Sequence, residues 1–177
     1  MAATAIFLRY GFKKTSMDDV AQAAGVSRQG LYLYFETKDV LFREALQYLV
    51  SHMISTARSV AEDGNLSLRD RLLGVFEAVH GSAFQSASPE HAFELLQSAQ
   101  SADGALLVQL DRDLMGIVAA LFEEASAADR WKKAGVTIAE LSEQLLMSAK
   151  GIKTSVDTLA TYRKRMRTAI RIATRRP

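Results

Sequence analysis

The stretch TSMDDVAQAAGVSRQGLYLYFETK, residues 15–38, decides how the rest of the chain is read. Its pattern predicts two short helices joined by a tight turn. A hydroxyl at Thr15 or Ser16 can accept from the free N–H groups of a first helical turn. Val20, Ala21 and Ala24 then fall on one face. Gly25 stands where a left-handed residue ends a helix at little steric cost, and Val26 is expected to plug the turn from beneath. Ser27 is a strong N-cap for a second helix over 28–34, expected to bury Leu31 and Phe35. A helix, a Gly-containing turn of about three to four residues and a second helix make the helix-turn-helix pattern, whose second helix enters a DNA major groove.

The residue identities narrow this further. Gly11 to Phe42 read GF-x-x-TS-x-x-x-VA-x-AAGVS-x-x-x-LY-x-YF-x-x-K-x-x-LF. This resembles the DNA-binding domain of the TetR family of bacterial transcriptional regulators. The match is dense from Ala3 to about Leu46; beyond that the resemblance is one of architecture alone. It implies an all-α fold with a three-helix head over 1–46, joined by a long helix to a ligand-binding and dimerisation body over 47–177. The implied partners are a double-stranded DNA operator, a second copy of the chain and a small-molecule effector of unknown identity. Members of that family often carry basic residues ahead of the first helix, so either the native chain extends upstream of Met1, which is the expectation, or this member lacks that arm. Intact mass from the natural source checks that expectation.

Composition agrees with a helical globular protein: 177 residues, 49% hydrophobic, 24% charged and two prolines. The absence of cysteine excludes disulfides and thiolate metal ligands. No apolar run approaches the ~18 residues of a membrane span, and nothing resembles a signal peptide, so a cytoplasmic location is expected. The net charge of +2 hides an uneven distribution. Residues 1–45 carry six Lys/Arg and five Asp/Glu, residues 46–149 seven and fourteen, and residues 150–177 nine and one. A head so weakly basic needs placed side chains and helix N-termini at phosphates, not bulk charge.

Along the chain, apolar periodicity and capping signals predict about nine helices and no strand. Ala3, Ile6, Phe7 and Tyr10 mark the core face of the first. Thr37 caps a long helix to about Glu62. Ser67-x-x-Asp70 opens a helix reaching Phe84, Ser88-Pro89 opens the next, and Asp103-Gly104 breaks the pattern before another. Thr137-x-x-Glu140 and Thr154-x-x-Asp157 are read as the starts of the last two. By resemblance these two form a four-helix bundle with a second copy, using Leu141, Leu145, Ile152, Leu159, Met166, Ile170 and Ala173. The alternative is that they complete the core of one chain.

Arg28 and Gln29 lie at the end of the second helix that meets base edges. Arg can pair with guanine and Gln with adenine, each pairing worth about 1–3 kcal/mol of discrimination; otherwise both are solvated. Gly30 permits close approach to a sugar-phosphate backbone. Tyr32 and Tyr34 can contact a thymine methyl or a phosphate, and by resemblance Tyr32 and Lys38 match phosphate-contacting positions. Thr15, Ser16 and Ser27 complete the expected DNA-binding set. Asp18 and Asp19 depart from it, as dipole-complementing acids or as charges opposing phosphate.

In the body, Tyr48, Met53, Phe76, Phe84, Phe93, Met115 and Phe122, mixed with His52, His80 and Gln97, are either core or the lining of an effector pocket. Glu77-x-x-His80 has the ligand spacing of a di-iron bundle, but such a site needs two copies. With no HExxH, phosphate-binding Gly loop or nucleophile elbow either, neither a metal site nor an enzyme is expected, and no cofactor. Arg163, Arg167 and Arg171 recur every four residues near the C-terminus, as a solvated face or as complements to the acidic body. The second functional reading is a dimeric small-molecule-binding protein whose head no longer binds DNA.

Overall fold

The computed structural model describes residues 2–85, 89–125, 131 and 134–175, with the side chains of 85, 89–93 and 96 outside that description. All regular structure among these residues is helical. The α-helices are α1 (Ala2–Tyr10), α2 (Met17–Ala24), α3 (Arg28–Tyr34), α4 (Lys38–Ala61), α5 (Leu68–His80), α6 (Pro89–Glu124), α7 (Ile138–Thr154) and α8 (Leu159–Ala173). A 3-10 turn, Gly81–Gln85, follows α5, so that helix ends one turn earlier than its apolar stripe suggests. The break expected at Asp103-Gly104 is a kink inside α6. Asp103 leaves helical geometry (φ −159°, ψ 77°), and its carboxylate accepts from the Leu106 N–H at 3.0 Å, restarting the helix.

Capping explains most of the helix starts. Ser16 and Asp19 form a reciprocal box on α2, and Thr137 and Glu140 form another on α7. Ser67 accepts from the Asp70 N–H at the start of α5. Thr154-x-x-Asp157 does not start α8. Thr154 closes α7, its hydroxyl turned back on the Lys150 and Gly151 carbonyls, because the stripe through Leu145 and Ala149 carries the helix that far. Thr158 caps α8 instead, accepting from the Thr161 N–H at 3.2 Å.

Two compact units are distinguished: Met1–His52 with Gln85–Gln109, and Met53–Phe84 with Leu110–Pro177. In the first, Phe7, Val20, Leu31, Leu41 and Phe42 form the core, and Leu95 and Ala102 of α6 pack against it. The Phe7 and Phe42 rings meet edge to face at 4.9 Å, and Phe12 lies 4.7 Å from Phe42. Glu94 of α6 accepts from the Lys13 N–H at 3.0 Å, so the first part of α6 is tied to the α1–α2 turn. Tyr10, expected on the core face of α1, is exposed at the helix end.

The second unit closes around Leu72, Val75, Phe76, Val118, Phe122, Ala149, Tyr162 and Met166. Gly74 lets α5 approach α4, since a Cβ there would lie 2.6 Å from a Val60 methyl carbon. This core absorbs the residues expected at a dimer interface. Leu141, Leu145, Met166 and Ile170 are buried within one chain, and Ile152, Leu159 and Ala173 pack partly buried against them. Burying both stripes against α5 and α6 removes their apolar area from water without a second copy. What α7 and α8 leave exposed is Met147 at 52% and Ile172 at 61%.

The expected pocket set is also redistributed. Phe76, Phe122 and His80 are core, with Met53, Phe84 and Met115 packed against it. In the other unit, Tyr48, His52 and Gln97 are exposed, with the Tyr48 and His52 rings stacked 6.3 Å apart. The side chains of Phe93 and His91 lie outside the described residues, as do Ser86–Ser88 and Arg176. A concavity of about 430 Å³ in the second unit is lined by none of the expected residues. Its walls are Arg58, Glu62, Arg71, Arg112, Asp113 and Glu124 over Ile117 and Leu121, with Arg71 clamped to both Glu124 oxygens at 2.7 Å.

His80 is one of the polar groups buried in this unit. Its Nδ1 lies 2.8 Å from the Tyr162 hydroxyl, both side chains being buried. Burial, reinforced by the charges of Lys153 and Lys150, pushes the imidazole down to about 3, and burial pushes the phenol up. The pair is therefore neutral at pH 7. Below pH 6.5 the unfolded chain gains a proton that the folded one refuses until about pH 3. Stability should fall across that window as pH is lowered, by up to about 1.4 kcal/mol per pH unit from this group. Urea denaturation at pH 7.0 and 5.5 checks this: a His80→Asn chain should lose that part of the slope, and an unchanged slope would contradict the assignment.

Candidate nucleic-acid interface

The helix-turn-helix is built by local chemistry. Ser16 Oγ accepts from the Asp19 N–H at 3.2 Å while Asp19 accepts from the Ser16 N–H at 2.8 Å. The Ser16 hydroxyl, donating to Asp19 Oδ2 at 2.6 Å, and then the Ser16 N–H hold the Asp19 carboxyl below its ordinary range. Gly25, at φ 68° and ψ 27°, is left-handed and ends α2. The Val26 N–H donates to the Ala21 carbonyl at 3.0 Å, and this turns the Val26 side chain outward. Val26 is 48% exposed and does not plug the turn; Met17, Val20, Ala21 and Leu31 fill that space. Ala24 is exposed as well. Ser27 caps α3 by accepting from the Gly30 N–H at 3.0 Å.

On α3, Leu31 is buried and Phe35, its C-cap, is partly buried, which anchors one side of the helix. The opposite side projects outward. Arg28 and Gln29 are exposed, Tyr34 is 82% exposed and Leu33 is 80% exposed. Leu33 is a residue that sequence reasoning missed. Its signal was the i, i+4 spacing from Gln29, which puts both on one stripe beside the Arg28–Tyr32 stripe. An apolar side chain so exposed beside Gln29 has the chemistry to meet a thymine methyl.

Arg28 is not free in this structure. Its Nη1 lies 2.8 Å from Asp18 Oδ2, and its guanidinium sits 5.6 Å from the Tyr32 ring centroid. Asp18 thus acts as a partner for Arg28, and Asp19 as a cap. Both members of the pair are more than half exposed, so the bond is worth about 1 kcal/mol at most. A bidentate guanine contact, worth about 1–3 kcal/mol, outweighs it. Gly30 packs against the cap, where a Cβ would stand 3.1 Å from Ser27 Oγ.

Two residues expected at phosphates have structural work in the head. Thr15 is 2% exposed, with its hydroxyl donating to the Gly11 carbonyl at 2.7 Å. It is not placed to reach a phosphate. Lys38 Nζ donates to the Phe12 and Thr15 carbonyls at 3.0 and 3.1 Å and lies 4.4 Å from the Phe12 ring centroid. It ties the start of α4 to the α1–α2 turn. The exposed Ser16, Ser27 and Tyr32 stay at the surface of the unit.

Residues 1–45, which hold this geometry, match the family model described as bacterial regulatory proteins, tetR family. The match covers about a quarter of the chain and is confined to this head. A Bacillus subtilis protein named as an uncharacterized HTH-type transcriptional regulator, YfiR, is 44% identical over 46 residues, covering 26% of this chain and 22% of its own length. The matched stretches span only 20% to 38% of the curated relatives' lengths. Solved structures cover the rest at the level of fold. The TetR family transcriptional regulator PfmR of Thermus thermophilus is 18% identical at a TM-score of 0.62, covering 97% of this chain and 94% of its own. A TetR-like transcriptional regulator from a Rhodococcus species is 23% identical, also at 0.62, covering 98% and 93%. The likeness to these solved structures is one of fold and extends through the body, at low sequence identity.

The two cations of this head, Lys38 and Arg28, should differ sharply when their bonds are broken. Lys38→Met deletes charge-assisted bonds to two carbonyls and should cost about 1.5–3 kcal/mol. Asp18→Asn, which frees Arg28, should cost less than about 1 kcal/mol. Chemical denaturation of both variants checks the ranking, and equal losses would remove the structural role given to Lys38.

Proposed function

We propose that this chain is a ligand-responsive transcriptional repressor that binds a pseudo-palindromic DNA operator as a cytoplasmic homodimer. The observation that carries this reading is the projecting face of α3, where Arg28, Gln29, Leu33 and Tyr34 are exposed beside a rigidly capped turn. Arg28 and Gln29 would read purine edges and Leu33 a thymine methyl, while Ser16, Ser27 and Tyr32 hold the backbone. Two copies would present two such helices to half-sites about 34–36 Å apart. The exposed Met147 and Ile172 leave α7 and α8 apolar area for a second copy to cover. Effector binding in the body would release the operator to the extent that it favours a state with mismatched heads. Among the described residues, no helix is long and apolar enough to cross a membrane.

Fluorescence anisotropy with the DNA upstream of the protein's own gene, against a scrambled duplex and across a salt series, tests this. Tight binding to the first duplex alone is expected. Arg28→Ala should relax base preference by about 1–3 kcal/mol at one position of the site, whereas Tyr32→Ala should weaken both duplexes alike. Equal weak binding to both duplexes at every salt concentration, by an upstream-extended chain as well, would favour a ligand-binding protein with a disabled head.

A further inference from the structure

The fold gives the cations of α8 different partners. Arg163 is clamped by Glu77, Nε and Nη2 each 2.8 Å from a carboxylate oxygen. Arg165 donates to the Ser155 hydroxyl at 3.0 Å. The next face of the helix differs. There Lys164, Arg167 and Arg171 recur at helical spacing and converge with Arg69 of α5 around a cleft of about 370 Å³, whose floor includes the buried Ile170. Four cations line this cleft, and one acid reaches them: Asp70, 3.2 Å from Arg167. The side chains of Lys164 and Arg171 have no hydrogen-bond or ionic partner among the described residues.

Arg69 is held in place from behind. Its Nε donates to Thr174 Oγ1 at 2.8 Å, and Thr174 is itself buried, with its hydroxyl donating to the Ile170 carbonyl at 2.7 Å. The terminal guanidinium nitrogens of Arg69 have no bond of their own among the described residues. Like charges gathered in one concave site repel one another and raise a local positive potential, which a bound anion relieves. Guanidinium forks match phosphate oxygens in pairs, and a cleft of this volume suits a small organic molecule.

We propose that the α5–α8 cleft binds a small multiply charged anion through a phosphate or diphosphate group, with Arg69, Lys164 and Arg171 as its principal contacts. The Arg167–Asp70 pair forms the rim, and the arginine stems and Ile170 give an apolar floor to the organic part of the ligand. This site is built from other residues than the α3 face and does not depend on DNA binding.

Isothermal titration with pyrophosphate, in a phosphate-free buffer at constant ionic strength, tests the proposal on the intact chain. One saturable site per chain is expected. Lys164→Gln and Arg171→Gln should each weaken it about tenfold or more, the loss expected for one charge-assisted bond. Arg165→Gln, on the same helix but outside the cleft, should leave affinity unchanged, and circular dichroism of all three variants confirms that they fold. Equal binding by all four proteins would place the anion elsewhere and overturn the proposal. So would an absence of saturable binding. If the cleft substitutions instead changed only duplex DNA binding or self-association, the surface would belong to nucleic acid or a second copy, and the small-anion site would be wrong.

Discussion

The recognition helix can project because α2 stops at Ala24 and the chain turns through a left-handed residue. Gly25 meets no atom within 4 Å where a Cβ would stand, so the demand is on the backbone and not on space. An L-residue side chain there would cost roughly 1–2 kcal/mol. Around this turn the Val26 N–H reaches the Ala21 carbonyl, Ser27 takes the Gly30 N–H, and Leu31 reaches the core while Leu33 and Tyr34 point away from it. The identity of one residue thus sets the face that the whole unit presents.

The unit beneath that turn is small and is braced by unlike means. Phe7, Phe12 and Phe42 supply aromatic packing between α1, the α1–α2 turn and α4. The Lys38 ammonium satisfies two carbonyls of the turn while lying over Phe12. Glu94 fixes the same turn from α6 through the Lys13 N–H. The chain between α1 and α2 is therefore held from both α4 and α6.

Electrostatics follows a different rule in the two units. The head spends its acids on its own architecture: Asp19 on a cap and Asp18 on Arg28. In the second unit the net positive C-terminal segment is partly matched by the acidic segment before it, through Arg163–Glu77, Arg167–Asp70 and Lys150–Asp111. Lys164 and Arg171, which flank Arg167 on one face of α8, are left over by this matching among the described residues.

Most helix starts were legible in the sequence, though not that of α8, because N-cap hydroxyls, capping boxes and left-handed glycines act within three or four residues of one another. Ser16, Ser27, Gly25, Ser67 and Thr137 all do what their local pattern says. The α3 face was legible for the same reason, apart from Leu33, whose exposure contradicts its composition. Only the tertiary structure decided which partner each apolar stripe meets. Leu141, Leu145, Met166 and Ile170 read equally well as interface or core, since a stripe records that an area must be buried and not against what. The same holds for Phe76, Phe122 and His80, and for the division of α8 into paired and unpaired arginines. Those outcomes depend on groups dozens of residues apart, and no local spacing encodes that distance.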